Sequence, residues 1–132
     1  MTRWIPRLIV GVALIHTLYG LFVLPASLDA NPLTGIADDG FVDAVEGDVE
    51  RGATFWFLAF GVVWFTLGHL THWVVRRTGQ VPALVGWWTI GLTVPSLILL
   101  PASGFWLALV VGVLALVAAR RDARAAVEVP AS

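Results

Sequence analysis

Three histidines are the side chains of this chain best suited to chemistry near neutral pH: His16, His69 and His72. An imidazole can carry a proton, make hydrogen bonds, or bind a metal or haem iron. His16 and His69 each lie within a long apolar run, where a polar ring is expected to face other helices and find a partner. His72 has no acid on its helical face, so we expect it to anchor an interface, and we predict no metal site.

His16 and His69 are predicted to lie at similar depths in a membrane. They lie nine residues after Arg7 and seven residues before Arg76, respectively, which at about 1.5 Å per residue places both rings roughly 10–13 Å inside one boundary. Three roles stay open. The rings could hydrogen-bond between helices, His16 could carry a proton or polarise a bound small molecule, or His16 and His69 could be axial ligands of a haem.

Polar and aromatic residues at the ends of the apolar runs form a second group. Arg51 lies outside the other arginine clusters, and we expect it either to pair with Asp48 or Glu46 and fix a loop, or to offer donors to an anionic or carbonyl ligand. With Glu50 it begins an apolar run. We predict an outward-opening pocket, with His16 deepest, lined by His16, Glu50, Arg51, Trp56, Ser103 and Trp106.

Four apolar runs are expected to position these residues, because 58% of the 132 residues are hydrophobic and 13% are charged. A bilayer core about 30 Å thick needs roughly 20 apolar residues per helix, with about 17 as the lower limit. The sequence therefore predicts an all-α fold, a four-transmembrane-helix antiparallel bundle, as one domain over residues 1–124 with a flexible tail at 125–132. The predicted spans are about 8–28, 52–75, 81–100 and 103–119.

The arginines predict the orientation. Seven of the eight basic residues flank the runs on what would be one face: Arg3, Arg7, Arg76, Arg77, Arg120, Arg121 and Arg124. The positive-inside rule makes that face cytoplasmic, which puts both termini in the cytoplasm and loop 29–51, with seven of nine acids, outside. We expect a multi-pass protein of the cell membrane of a prokaryote, with a retained first helix. Lipid is the expected partner; a homo-oligomer or a membrane complex is possible, and the few dispersed basic residues give no support to nucleic-acid binding.

Two finer predictions concern helices. Phe41, Val42, Val45 and Val49 have helical spacing, which predicts a short amphipathic helix in the outer loop, after turn residues at 31–35. In the third span, Pro95 should produce a kink, with Thr93 and Ser96 satisfying the carbonyls that it frees. Ser103 is expected to cap the fourth span, which should form a tight hairpin with the third.

Tryptophans are expected at two kinds of position. Trp4, Trp73, Trp56 and Trp106 should anchor the helices at the membrane interfaces. Trp64, Trp87 and Trp88 should pack between helices, or alternatively offer a stacking surface to a flat lipid-soluble ligand.

Two stretches resemble a small four-span bacterial membrane family of unknown function: Arg51-Gly52-Ala53-Thr54-Phe55-Trp56-Phe57 and Pro101-Ala102-Ser103-Gly104-Phe105-Trp106. His16 and Gly86-Trp87-Trp88 extend the resemblance over roughly residues 5–118. It implies the fold and the location, and no catalytic residue. In size and span number alone the chain is similar to DoxX-like proteins, which are linked to membrane redox and quinone chemistry.

These observations favour an integral membrane protein that binds a small apolar or amphiphilic molecule, or that serves as an accessory subunit. One alternative is a redox or isomerase-type enzyme acting on a lipid-soluble substrate such as a quinone, which would need His16 and Arg51. Another is a small proton-coupled transporter, for which His16 would be the titrating group because the predicted spans contain no acid. We predict no cofactor; haem and quinone are the alternatives left open, and whether the chain is an enzyme stays undecided.

Overall fold

The computed structural model describes residues 2–28, 31–40 and 44–127, which are helical apart from the connecting turns and contain no strand. Within these ranges the α-helices are α1 (Ile5–Leu18), α2 (Pro32–Asp38), α3 (Val49–Thr78), α4 (Ala83–Leu99) and α5 (Phe105–Val127). A short 3₁₀ turn precedes α1, and a π-helical turn, Tyr19–Val23, and a 3₁₀ turn, Pro25–Ser27, follow it. The all-α prediction is confirmed.

Two helical stretches, Thr2–Ser27 and Val49–Thr78, are long and apolar enough to cross a bilayer. In the most apolar part of each, 22% of the residues are buried, so most of their apolar surface is open. Ala83–Leu99 is a shorter apolar helix. Helix α5 extends to Val127, so residues 125–127 of the predicted flexible tail are helical, and the rest of that tail lies outside the described residues.

The chain divides into two compact units of opposite charge. The first consists of residues 1–12 and 66–132; it contains the seven clustered arginines and is called the basic unit. The second, residues 13–65, contains seven acids and Arg51, and is called the acidic unit.

Close approach of α4 and α5 organises the basic unit. A Cβ atom added at Gly86 would lie 2.6 Å from Leu116 Cγ and 2.9 Å from the backbone oxygen of Gly112. One added at Gly112 would lie 3.0 Å from Thr89 and Ile90 side-chain atoms. Small residues allow two helix backbones to approach in this way. The predicted hairpin of the last two apolar runs is confirmed.

The two hydroxyl side chains near Pro95 do not make the hydrogen bonds that we predicted. Pro95 lies inside the continuous helix α4 and leaves the carbonyl of Gly91 without its helical donor. The Thr93 and Ser96 hydroxyls donate 2.8 Å hydrogen bonds to the carbonyls of Thr89 and Leu92 instead. Neither hydroxyl therefore takes the role we predicted, because each reaches the carbonyl four residues before it in the helix.

Ser103 is not the residue that directly precedes α5. Gly104 holds that position, and the Ser103 hydroxyl accepts a long 3.5 Å contact from the backbone N–H of Phe105. The predicted cap is thus a loose turn contact.

The short helix of the acidic loop lies earlier in the chain than predicted. It is α2, Pro32–Asp38, whereas residues 44–47 form a turn and 41–43 lie outside the described residues. The Asn31 side chain accepts the N–H of Leu33 at 3.0 Å, and Pro32 occupies the first helical position, so the residues read as turn chemistry in fact begin a helix. Gly47 adopts φ +83°, a conformation that interrupts the apolar periodicity before α3 begins at Val49.

Candidate functional site

His16, on α1, is half-buried against α3 within the acidic unit. Its Nε2 atom lies 2.9 Å from the backbone oxygen of Phe57. The imidazole also stacks on the Phe57 ring, with 3.9 Å between centroids and 13° between planes. His16 therefore contacts both the backbone and the side chain of the same residue, which fixes the position and the plane of the ring.

The hydrogen bond to Phe57 determines how the two ring nitrogens of His16 can act. A carbonyl oxygen can only accept, so Nε2 must carry the proton. In the neutral ring Nδ1 is then an acceptor, and no partner for it is present among the described residues. His16 thus offers a single lone pair in a fixed direction.

Aromatic rings surround this imidazole. Phe60 approaches it edge-on at 6.1 Å between centroids, and Tyr19 lies 6.1 Å from Phe57. We call His16, Tyr19, Phe57 and Phe60 the His16 cluster. Tyr19 is the first residue of the π-helical turn, a local widening of the helix that often occurs at functional sites.

Two glycines bring α1 and α3 close enough to form this cluster. A Cβ atom added at Gly61 would lie 2.5 Å from Thr17 Oγ1 and 3.3 Å from His16 Cδ2. One added at Gly20 would lie 2.7 Å from the ring of Phe57. The absence of these side chains therefore sets the distance at which His16 reaches the Phe57 carbonyl.

Arg51 fastens the acidic loop to the start of α3. Its Nη1 donates to Asp39 Oδ2 at 2.6 Å and to the backbone oxygen of Ala44 at 3.1 Å, and its Nε lies 3.2 Å from Asp48 Oδ2. The predicted pairing with Asp48 is confirmed, while Asp39 takes the place that we gave to Glu46. The guanidinium also lies directly against Gly35, where an added Cβ would be 2.7 Å from Nη2.

Asp48 has a second task at the same place. Its Oδ1 accepts the backbone N–H groups of Glu50 and Arg51, both at 3.0 Å, and so caps α3. With Nε and Nη1 of Arg51 already engaged, this side chain acts mainly as a loop clamp. Asp48 thus connects the helix start to the clamp.

The remaining predicted pocket residues are distributed over both units. In the acidic unit, Glu50 is exposed and Trp56 is 71% exposed. Ser103 and Trp106 belong to the basic unit, where the Trp106 indole N–H donates to the Pro101 carbonyl at 3.0 Å. Convergence of all six residues stays a prediction.

His69 is exposed on α3 within the basic unit. Its pairing with His16, as a polar contact or around a haem, also stays a prediction. The geometry at His16 does not favour axial ligation, because Nε2 is bonded to a carbonyl and one ring face is covered by Phe57.

The other tryptophans fall into two groups. Trp64 is 5% exposed, as expected for helix packing, but Trp87 and Trp88 are 58% and 71% exposed and do not pack between helices of this chain. Trp4 and Trp73 are exposed and lie under the guanidinium groups of Arg7 and Arg77.

Sequence reasoning missed Phe57, Phe60 and Asp39 as site residues. The spacing of the two phenylalanines could have revealed them, since they lie one turn apart on α3 and close to Gly61 in sequence. Asp39 lies twelve residues from Arg51 across a loop, and no sequence signal links the two. Within the described ranges, no three histidine or acidic residues form a group that could hold a metal ion.

Comparison with known proteins gives one match. A family whose description reads "Family of unknown function (DUF6463)" matches residues 1–122. No curated protein and no solved structure matches the chain.

Proposed function

Since this chain belongs to a family of unknown function, DUF6463, we propose its role from its own geometry: an integral membrane protein that binds a small amphiphilic molecule at the His16 cluster. The observation that carries the proposal is the fixed His16 ring, with Nε2 donating to the Phe57 carbonyl and Nδ1 left as an acceptor.

Extensive exposed apolar surface supports membrane residence. Soluble proteins seldom expose contiguous apolar patches above a few hundred Å². Here large apolar side chains are open on every long helix, among them Phe22, Val62, Leu84, Ile98 and Val110, which are 56–77% exposed. Lipid tails would cover this surface without loss of any hydrogen bond.

Four crossings with a cytoplasmic N-terminus form the topology that we propose, following the arginine pattern. The absence of native cysteine makes a direct test simple. In intact cells, the thiol introduced by Asp38→Cys should react with a membrane-impermeant maleimide. The thiol introduced by Arg124→Cys should not react. The opposite pattern, or recovery of the protein without detergent, would overturn the topology.

The chemistry of the His16 cluster indicates the class of ligand. An Nδ1 acceptor on a ring that contacts Phe57 and Phe60 suits a molecule with one hydrogen-bond donor on a flat or apolar body, such as a lipid-soluble phenol or hydroquinone. Among the described residues, the ring contacts of His16 are aromatic, with no carboxylate or second base, so binding is favoured over catalysis. An accessory-subunit role is compatible with the same site.

The enzyme alternative uses the same nitrogen. Nδ1 could take one hydroxyl proton of a bound hydroquinone while solvent takes the second proton and an external electron acceptor takes the two electrons, and turnover would then disappear with the histidine. A proton-coupled transporter would likewise depend on His16, and transport would be lost in the same variant.

Substitution of His16 by Phe separates ligand binding from helix packing. The Phe ring can keep the stack on Phe57 and removes both ring nitrogens. We expect the amount of co-purifying small molecule, measured by mass spectrometry after mild detergent extraction, to fall about tenfold or more. The reason is that a hydrogen bond inside a water-poor site is lost. Stability should fall by about 0.6 kcal/mol, the average for a polar contact between membrane helices.

His72→Phe is the matched control, since His72 is an exposed histidine on α3 outside the His16 cluster. It should leave the ligand content unchanged. Equal ligand content in His16→Phe and the parent protein, or no small molecule in either, would contradict the binding proposal and leave His16 as a helix contact.

A further inference from the structure

Asp122 connects the three segments that carry the arginines of the basic unit. Its Oδ1 accepts the Thr2 hydroxyl at 2.8 Å, and its Oδ2 accepts the backbone N–H of Val81 at 3.1 Å. The N-terminal segment, the connection from α3 to α4, and α5 therefore meet at one carboxylate. These segments and the helix ends next to them carry Arg3, Arg7, Arg76, Arg77, Arg120, Arg121 and Arg124.

Most of these guanidinium groups have no carboxylate beside them within the described part of the chain. Asp122 receives its hydrogen bonds from two neutral donors. No described carboxylate lies within 4.0 Å of six of the guanidinium groups, those of Arg3, Arg7, Arg76, Arg77, Arg120 and Arg124. These six guanidinium groups thus have no described carboxylate as a counter-ion.

Two of these arginines are held on exposed indoles. The Arg7 guanidinium carbon lies 5.0 Å from the ring centroid of Trp4, and that of Arg77 lies 4.3 Å from the centroid of Trp73. A guanidinium above an aromatic face keeps the N–H donors at its edge free, and that planar fork matches the oxygens of a phosphate. The indoles therefore limit the freedom of the fork without using its donors.

We propose that Arg7 on Trp4 and Arg77 on Trp73 bind the phosphodiester headgroups of anionic phospholipids. The charge of the basic unit is complementary to such lipids, and exposed apolar side chains such as Leu70 and Leu84 can receive the acyl chains. The inference rests on the membrane residence proposed above, but not on a ligand at His16.

A charge-conserving pair of variants tests this site. The purified protein in detergent is titrated with phosphatidylglycerol or phosphatidylcholine, and bound lipid is counted by native mass spectrometry. The parent protein should prefer phosphatidylglycerol to phosphatidylcholine. In Arg7→Lys/Arg77→Lys this preference should fall on the order of tenfold, because lysine cannot form the bidentate fork. Arg3→Lys/Arg124→Lys, which alters two arginines not held on an indole, should retain it.

Equal preference in the two double variants and the parent would overturn the site, since charge alone would then be sufficient. Equal loss in both double variants would overturn it too. Displacement of phosphatidylglycerol by equimolar inorganic phosphate would show a phosphate site and contradict a lipid site. Recovery of the protein without detergent would instead contradict membrane residence, so the two failures are distinguishable.

Discussion

The basic and acidic units differ in charge and in the kind of contact that orders them. In the basic unit, α4 and α5 approach through Gly86 and Gly112, and the guanidinium groups of Arg7 and Arg77 lie over indoles. In the acidic unit, polar groups determine the arrangement: the Arg51 clamp and the hydrogen bond from His16 to Phe57. A directional contact thus fixes the His16 ring, where we propose ligand binding, while close packing holds α4 against α5 in the basic unit.

The largest expected effect tests the close packing of the basic unit. Gly86→Val introduces atoms 2.9 Å from a backbone oxygen of Gly112 that cannot move independently. We expect a loss of about 3 kcal/mol in the free energy of unfolding, the upper range for an overpacked core. Equilibrium unfolding in mixed detergent micelles measures it.

Gly91→Val is the matched control on the same helix, because an added Cβ at Gly91 meets nothing within 4 Å. It should change stability by less than about 1 kcal/mol, since only helix propensity is altered. Equal losses at the two glycines would show that the α4–α5 approach is not tight.

A smaller effect is expected when the clamp of the acidic unit is removed. Arg51→Gln loses two ion pairs and a hydrogen bond to Ala44. We expect the free energy of unfolding to fall by about 1–2 kcal/mol, a modest loss because the Arg51 side chain is 22% exposed and its partners Asp39 and Asp48 are more exposed. Hydrogen exchange should accelerate over residues 32–48. Exchange in α4 and α5 should stay unchanged.

Asp39→Asn provides the graded comparison, since Asp39 is 60% exposed and one contact is weakened. Its effect should be below about 1 kcal/mol. A larger loss for Asp39→Asn than for Arg51→Gln would contradict a clamp centred on the guanidinium.

Local signals account for what the sequence predicted well. Asp48 caps α3, and Arg51 lies three residues after it, a separation short enough to make the ion pair between them predictable. Pro82 precedes α4, and the hairpin turn follows from residues 101–104. Local signals also conflicted in the acidic loop. We placed the short helix at 41–49 on its apolar periodicity, whereas Asn31 and Pro32 form the stronger start signal and begin the helix that the structure shows.

Contacts between distant parts of the chain account for what the sequence could not predict. The partner of His16 is a backbone carbonyl, which every residue possesses, so no residue type identified it. Asp39 and Arg51 meet through the path of a loop, and Asp122 bonds to two segments far from it in sequence. Such pairs become visible when the helices are placed.

A still smaller effect is expected at Gly61, whose contact with Thr17 helps to set the distance between α1 and α3 at the His16 cluster. Gly61→Ala places a methyl group 2.5 Å from Thr17 Oγ1, which is the end of a side chain that can rotate. We expect a loss of about 1 kcal/mol. The double variant Gly61→Ala/Thr17→Ala should recover most of it, and a strictly additive double variant would contradict the contact.

The smallest effect concerns the carboxylate that joins the segments of the basic unit. Asp122→Asn retains one acceptor oxygen for the Val81 N–H and leaves an amide N–H that can only donate to the Thr2 hydroxyl, so both bonds lose the carboxylate charge that strengthens them. We expect a loss of about 0.5–1 kcal/mol, with faster hydrogen exchange at the Val81 amide. Thr2→Val, which removes one of the two bonds, should cost no more than this and leave exchange at Val81 unchanged. If Asp122→Asn alters neither stability nor exchange, the arginine-bearing segments are held together by their helices alone, and the contrast between close packing in one unit and directional contacts in the other becomes sharper.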